Sequence, residues 1–458
     1  MPPDTDVTPK FAQSPEDLRA LAATALEHAA RIGASACECE VSESYGLSVT
    51  VRKGEVETVE HNRDKGLGVT IYLGERPRAR RGHASSGDFS LDAIRQTVEA
   101  ALAIARHTAE DDCAGPPDAE LLVRELPDLD LFHPWHLTTE QAIAIARRSE
   151  AAAFAVSKKI RNSEGASLSA QHSQWMLANS LGLMAGQRST RHSLWCSAIA
   201  GDKGLMQRDD WYSAARAPQD VAGAEPLGRY AGQRALARLG ARKISTRQAP
   251  VLFEAPVATQ LIGSFVSAVS GGNLYRKASF LLDSLGKQVF APIVSIDERP
   301  LEPRGLASSP CDDEGVATRT RAIVRAGKLE GYFLSSYSAR KLGMQSTGSA
   351  GGTRNLVIGQ TGEPGPDFVG MLRTLNRGLL VTETMGMGVN IVTGDYSQGA
   401  AGYWVEGGVI RYPVEEITIA GNLKDIFKSI VAIGADTVVR GARRCGSILV
   451  ENMTIAGD

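Results

Sequence analysis

Two kinds of hydrophobic spacing alternate along the first part of the chain. Between Pro15 and Gly33 apolar residues recur every three or four positions, which is typical of an amphipathic helix with proline near its start and glycine after its end. From Cys37 onward apolar and polar residues alternate, as they do in strands with one face in water. We therefore expect a helix followed by an antiparallel meander, with a separate strand over 66–73.

The same two spacings continue to about residue 242. Helical spacing predicts three further helices, over about 90–107, 138–158 and 219–239. Thr138 and Gln141 resemble a capping box at the start of the second of these helices. Alternation over about 159–216 predicts strands joined by tight turns.

The pattern changes near residue 243, where the chain becomes richer in glycine and in short alternating stretches. A short strand is predicted over 251–254, followed by a helix over 257–270 that is apolar on more than one face and so belongs inside the protein or at an interface. Further short strands are predicted over about 289–296, 317–324, 379–383 and 414–420. We predict an α+β fold with two domains: 1–242, an antiparallel sheet with helices, and 243–458, a β-rich domain with one apolar helix.

Composition narrows the class of protein. The 458 residues are 43% hydrophobic and 22% charged, as in ordinary globular proteins. The 50 basic and 52 acidic residues leave a net charge of −2, which argues against a dedicated nucleic-acid binder. Hydrophobic runs stay short of the ~18 residues of a membrane span, and the six cysteines contain no Cys-x-x-Cys pair. These features favour a reduced, cytoplasmic protein with neither nucleic acid nor membrane as a partner.

Generic catalytic motifs are weak or missing. Residues 348–352 are small, as in a phosphate-binding loop, but lack the Lys-Ser/Thr ending; 386–391 begins like a dinucleotide fingerprint and has Ile391 at its third glycine position. A zinc peptidase helix needs two histidines on one face beside a glutamate. All eight histidines precede residue 243, and no His-Glu pair occurs, so we predict neither catalytic residues nor a metal site.

Several long motifs in the second half are more specific. They are SGGNLYRK at 270–277, LLDSLGK at 281–287, DEGV at 313–316, SSYSARKLG at 335–343, VTGDYSQGAAG at 392–402 and VEEITIAGNLK at 414–424. Together they resemble the TldD/PmbA family, and within it the PmbA (TldE) branch. The resemblance is strong from about residue 250 to the end, and it covers the first half in the order of its elements.

The resemblance implies a function at the level of a complex. TldD-type subunits carry a His-Glu-x-x-x-His helix and a late cysteine that completes a zinc site, and PmbA-type subunits pair with them in a cytosolic protease. That complex degrades or trims peptides and unfolded segments. We expect this chain to be the PmbA/TldE-type subunit, inactive alone, with zinc in a TldD-type partner and with a homodimer as its own state when alone. The alternatives are a stand-alone peptide-binding or scaffold protein without protease activity, and an enzyme with unrecognised chemistry.

The family's site can be carried over residue by residue. The two histidine positions fall on Gly263 and Ala268, the glutamate position on Ser264, and the late cysteine on Cys445. We therefore expect a degenerate zinc site, in which Cys445 is either a remnant ligand or a small core residue. Candidate contacts to substrate or partner are Asn273, Tyr275, Arg276, Lys277, Asp395, Tyr396 and Ser397. For Asp395, after Gly394, a plain turn-forming role stays open, and for Arg276 a pairing within this chain stays open.

Overall fold

The computed structural model describes residues 10–202 and 204–457 and divides the chain into two compact units. The N-terminal unit comprises Met1–Leu236 with the short segments Pro303–Gly305 and Asp313–Ala317; the C-terminal unit comprises Ala237–Glu302, Leu306–Asp312 and Thr318–Asp458. Helices and antiparallel strands occur in both units, so the predicted α+β class is confirmed. Across the described residues, we find no helix with the length and apolar character needed to cross a bilayer.

The N-terminal unit is a six-stranded sheet covered by helices. Its strands follow the order β3-β2-β1-β4-β5-β6, and every neighbouring pair is antiparallel. The strands are β1 Ala36–Arg52, β2 Glu55–Leu73, β3 Arg80–Ser86, β4 Ile160–Asn179, β5 Met184–Asp202 and β6 Leu205–Ala215. The helices are α1 Pro15–Arg31, α2 Leu91–His107, α3 Thr139–Phe154 and α4 Ala224–Ala237.

Local sequence signals place the helix starts correctly. The Ser14 hydroxyl accepts a hydrogen bond from Asp17 N, and the predicted capping box of Thr138 and Gln141 is present at α3. The strands are longer than predicted, because β2 runs without a break through the segment 66–73 that we expected to be separate. Likewise β1 continues through Gly46, where an added Cβ would lie 2.0 Å from Gln171 Oε1. That glycine makes room for a side chain of β4 and forms no turn.

One face of this sheet carries the core. Alternate residues of β1, including Cys37, Cys39 and Val41, are buried against α1 and α2. Further along the same face, Phe11 packs edge-on against Tyr45 with ring centroids 4.9 Å apart. Helix α3 contacts the other end of β1, where the Glu150 carboxylate accepts from the N–H groups of Lys53 and Gly54. The middle of this face lies between these helices and is covered by loop residues.

The C-terminal unit contains two six-stranded sheets and five helices. Their orders are β10-β9-β8-β11-β17-β16 and β14-β13-β12-β7-β18-β15, and a further pairing of β14 with β18 closes five strands of the second sheet into a ring. The strands are β7 Arg247–Phe253, β8 Val294–Glu298, β9 Arg321–Arg325, β10 Lys328–Leu329, β11 Leu356–Gln360, β12 Arg377–Met385, β13 Asp395–Glu406, β14 Val409–Asn422, β15 Ile430–Ile433, β16 Val438–Arg440, β17 Arg443–Cys445 and β18 Ile448–Ala456. The helices are α5 Ala255–Ala268, α6 Gly271–Tyr275, α7 Ser336–Lys341, α8 Phe368–Leu375 and α9 Leu423–Lys428.

Helix α5 lies between the two sheets of this unit. It contacts β7 and β12 of one sheet and β16 and β17 of the other, and its residues Leu261, Ile262 and Phe265 are at most 2% exposed. The predicted burial of a helix that is apolar on several faces is therefore confirmed.

Two predicted strands of this unit start later than expected. The stretch 289–293 is a loop, in which the N–H groups of Val289 and Phe290 both donate to the Gly327 carbonyl, and β8 begins only at Val294. Similarly, β9 begins at Arg321, after a loop in which Thr318 N donates to Pro310 O. In the first loop the apolar residues are buried by tertiary packing, so their pattern resembles that of a strand.

Candidate functional site

Helix α5 carries the three positions at which the family resemblance expects zinc chemistry. Gly263 and Ser264 are half-buried, and Ala268 is fully buried. A Cβ atom at Gly263 would lie 3.0 Å from Nη1 of Arg443 and 3.2 Å from its Cζ. The Arg443 guanidinium therefore lies directly against the helix at the position of the expected first histidine.

Contacts with the helix backbone fix this arginine in place. Arg443 belongs to β17, which packs on α5, and its Nη1 donates to Thr259 O at 3.3 Å. Burial lowers the pKa of Arg443 from its ordinary value. A guanidinium nevertheless stays protonated in proteins, so the site holds a fixed positive charge.

The late cysteine lies in the core of the C-terminal unit. Cys445 is fully buried, and its thiol donates to Gly446 O at 3.1 Å. Burial, and to a lesser extent the nearby Asp436 carboxylate, raises the pKa of this thiol well above its usual range. Cys445 is therefore a neutral thiol packed in the hydrophobic core of this unit.

These donors do not fit a catalytic zinc ion, which takes three protein ligands from histidine, carboxylate or thiolate groups. Glycine and alanine supply no side-chain donor, Cys445 offers at most one ligand, and the guanidinium adds a repelling charge. Within residues 10–202 and 204–457, the one grouping of three potential metal ligands is Asp111, Asp112 and Cys113, in the N-terminal unit. There the Asp111 carboxylate accepts from Cys113 N at 2.9 Å, as in an ordinary turn.

Four of the predicted contact residues lie together at the end of α6. Arg276 donates to Asn273 Oδ1 and to the Tyr275 hydroxyl, both at 3.3 Å, and its Cζ lies 5.3 Å from the Tyr275 ring centroid. Arg276 and Lys277 are exposed, and Lys277 has a positive φ of 56° that turns the chain after the helix.

Two residues of α7 extend this group. The Tyr275 ring meets the Tyr337 ring edge-on at 5.8 Å, and Lys341 Nζ lies 5.4 Å from the Tyr337 centroid. Tyr275, Arg276, Lys277, Tyr337 and Lys341 thus form an aromatic–basic patch. Such a surface suits stacking on a peptide and contact with its carbonyl or carboxylate oxygens.

The second predicted contact group, at the start of β13, behaves differently. The Asp395 carboxylate accepts from Thr393 Oγ1 at 2.6 Å and Asn422 Nδ2 at 3.2 Å, and these two bonds lower its pKa. Its partners are those of a turn, in agreement with the alternative left open for Asp395. Ser397 is exposed, but its N–H donates to Gly388 O at 2.7 Å, so the strand edge is already occupied there.

Tyr396 requires a correction. Its side chain is only 5% exposed and belongs to the main hydrophobic core of the C-terminal unit. Burial also raises the pKa of its hydroxyl. Alternation along β13 points this side chain inward while Asp395 and Ser397 point outward, so Tyr396 does not provide a surface for substrate or partner.

The structure also brings together histidines that no sequence motif connects. His172 of β4 stacks on Tyr45 of β1 with ring centroids 4.5 Å apart, and it faces His192 of β5 at 5.7 Å. His61 and His136 line a cavity of about 430 Å³ next to them. Strand register brings these residues together across more than 100 positions, and no local pattern could have signalled it.

Family models for three consecutive domains match the chain. They are described as the PmbA/TldA metallopeptidase domain 1 at residues 37–105, the central domain at 132–239 and the C-terminal domain at 246–457. "Metalloprotease PmbA" of Escherichia coli O157:H7 is 50% identical over 92% of both chains. "Metalloprotease PmbA homolog" of Haemophilus influenzae is 43% identical over the full length of both, and "Metalloprotease TldD homolog" of the same organism is 24% identical over 84% of this chain and 83% of its own length.

Solved structures share the fold. A candidate modulator of DNA gyrase from Bacteroides thetaiotaomicron superposes with a TM-score of 0.89 at 25% identity, covering 96% of this chain and 99% of its own. TldE from Thermococcus kodakarensis superposes with a TM-score of 0.80 at 19% identity, covering 94% and 100%. At that lower identity the second likeness concerns the fold alone.

Proposed function

Because the chain belongs to the PmbA/TldD metallopeptidase family, we propose that it is the non-catalytic subunit of a TldD-type zinc metalloprotease. In this role it holds extended peptide and stabilises its partner, while the partner supplies zinc and the catalytic base. The complex degrades or trims peptides and unfolded segments in the cytoplasm. Six buried cysteines, all with free thiols, are compatible with that reducing compartment.

The observation that carries this proposal is the guanidinium of Arg443 against Gly263. A family member that worked as a peptidase on its own would need metal ligands on α5, whereas this helix presents small residues to a fixed cation. In this proposal the chain has the fold of a metallopeptidase, and another subunit supplies the metal ion and the catalytic base.

Support for a TldD-type partner comes from the curated relatives, which include a protein named as a TldD homolog. Support for peptide as the substrate comes from the aromatic–basic patch. Its exposed Arg276 offers donors to a peptide chain, and Tyr275 and Tyr337 offer ring faces for stacking.

The test is assembly with zinc counting. The tagged chain is co-expressed with a TldD-type subunit, and the purified complex is analysed for mass and metal. We expect a complex whose zinc equals the number of TldD-type subunits and disappears when a histidine of the partner's zinc helix is replaced. The proposal would be contradicted if the two chains failed to assemble. It would also be contradicted if the complex kept its zinc after a histidine of the partner's zinc helix had been replaced.

A further inference from the structure

The cavity in the N-terminal unit lies on the core face of the sheet, between the elements that cover it. Tyr45 pairs with Arg63 on one side and with His172 on the other, and Leu47 pairs in the same way with His61 and Ala170. Directly paired residues share a face, so these six side chains form one floor. The segment Trp135–Leu137 closes the cavity from above, with Trp135 N donating to His172 Nε2 at 3.2 Å.

This floor has an apolar end and a basic end. Leu47, Ala170 and Leu137 provide the apolar surface, and all three line the cavity. At the other end stands Arg63, which is exposed and forms no ion pair with any residue that the structure describes. His172 adds no charge at neutral pH, because burial lowers its pKa to about 4. The guanidinium of Arg63 thus lines the cavity and is available to bind a carboxylate of a ligand.

The same cavity borders an open strand edge. On its outer side β2 pairs with β3 only over Leu67–Leu73. For residues 55–66 that edge has no backbone partner among the described residues. His61, Asn62 and Arg63, which line the cavity, all belong to this open stretch. A strand edge of this kind can accept an extended peptide through main-chain hydrogen bonds.

We infer that this cavity and the open edge of β2 form a binding site for an extended peptide that runs parallel to β2 and carries an apolar residue followed, two positions later, by an acidic residue. Side chains two apart on an added strand point to the same face, just as His61 and Arg63 do on β2. On the added strand the apolar side chain lies beside His61, at the end of the cavity that Leu47 also lines, and the carboxylate lies beside the Arg63 guanidinium. The site lies within the N-terminal unit and requires neither a zinc site nor a protease partner.

The test uses the full-length chain alone and short synthetic peptides, with binding followed by calorimetry. The probe is acetyl-Thr-Leu-Thr-Glu-Thr-amide, and its matched control has glutamine in place of the glutamate. We expect the acidic peptide to bind at least fivefold more tightly than the control. Arg63→Gln should abolish this preference, whereas Arg95→Gln, at a half-buried arginine of α2 that pairs with Asp92, should leave it unchanged.

Two further peptides test the strand edge itself. One peptide is N-methylated on its odd-numbered residues and the other on its even-numbered residues. The peptide whose methyl groups replace the N–H groups that face β2 should lose binding. Equal affinity for the acidic and neutral peptides, no saturation at millimolar concentration, an effect of Arg95→Gln equal to that of Arg63→Gln, or undiminished binding of both methylated peptides would overturn the inference. None of these outcomes depends on assembly with a TldD-type subunit.

Discussion

At the scale of single residues, Arg443 explains how the fold tolerates the missing ligands on α5. The guanidinium fills the space beside Gly263, and its contact with Thr259 O uses a carbonyl of the same helix. A larger residue at position 263 would displace the arginine side chain from this contact. The position of the Arg443 side chain therefore depends on the absence of a side chain at Gly263.

The first prediction at this scale concerns metal content. We expect the purified chain to contain far less than one zinc per molecule after gentle desalting, and Arg443→Ala to remain as poor in zinc. Removing the cation creates no new donor at Gly263 or Ala268, and a single buried thiol cannot hold a catalytic zinc. Metal analysis decides the matter: one zinc per chain, lost on Cys445→Ser, would contradict the account.

The second prediction concerns His172 and pH. Burial lowers the pKa of this histidine to about 4, below the ordinary 6.5, so the unfolded chain binds the proton more readily. Its contribution to the free energy of unfolding is therefore complete above pH 6.5 and is lost as the pH falls toward 4. Between pH 7 and pH 5 this histidine alone should remove about 2 kcal/mol of stability.

Urea unfolding followed by tryptophan fluorescence measures that loss. Of the five tryptophans, Trp135, Trp175, Trp195 and Trp211 lie in the N-terminal unit, so the signal reports mainly on the surroundings of His172. His172→Gln, whose amide oxygen can accept the Trp135 N–H, should flatten the pH dependence. The exposed control His107→Gln should not, and equal pH dependence in wild type and His172→Gln would refute the assignment.

At the scale of elements, the sequence signals that proved reliable were local ones. The starts of α1 and α3 follow from caps that involve residues three positions apart, and the burial of α5 follows from its own apolar faces. The full length of β1 and β2 could not be predicted in this way, because pairing on both sides of β1 carries that strand through Gly46. The cavity depends on register between distant strands, and the inward side of Tyr396 depends on where β13 begins.

Helix α5 gives a prediction about restoring the family's ligands. The triple variant Gly263→His, Ser264→Glu and Ala268→His should not become a peptidase, since a histidine at 263 meets Arg443 and one at 268 has no space. Overpacking should lower the free energy of unfolding by roughly 1–3 kcal/mol for each buried replacement. The matched control is Ser267→His, at an exposed position of the same helix, which should be nearly neutral.

Zinc content, urea unfolding and peptide hydrolysis of the triple variant are measured without a partner. Peptide hydrolysis that a chelator stops would mean that α5 and its surroundings can still hold a catalytic zinc ion once the ligands are restored. In that case the packing account of α5 would be wrong.

At the scale of the whole molecule, the C-terminal unit displays apolar side chains to solvent. Met387 is 99% exposed, Val392 55% and Val409 53%. Subunit interfaces of obligate complexes bury about 2,000 Å² or more and are apolar. In the absence of its natural partner, this chain can bury such a surface by forming a two-fold homodimer. We expect light scattering at micromolar concentration to give the mass of a homodimer. A strict monomer that also ignores a TldD-type subunit would remove this support.

The most direct test of the central claim is the rate of peptide cleavage by this chain alone, by a TldD-type subunit alone and by the two mixed. The account predicts no chelator-sensitive cleavage by this chain, and faster cleavage by the mixture than by the TldD-type subunit alone. Substituting Cys445→Ser in this chain should leave the rate of the mixture unchanged, because the zinc belongs to the partner. Cleavage by this chain alone that a chelator stops and zinc restores would contradict the account.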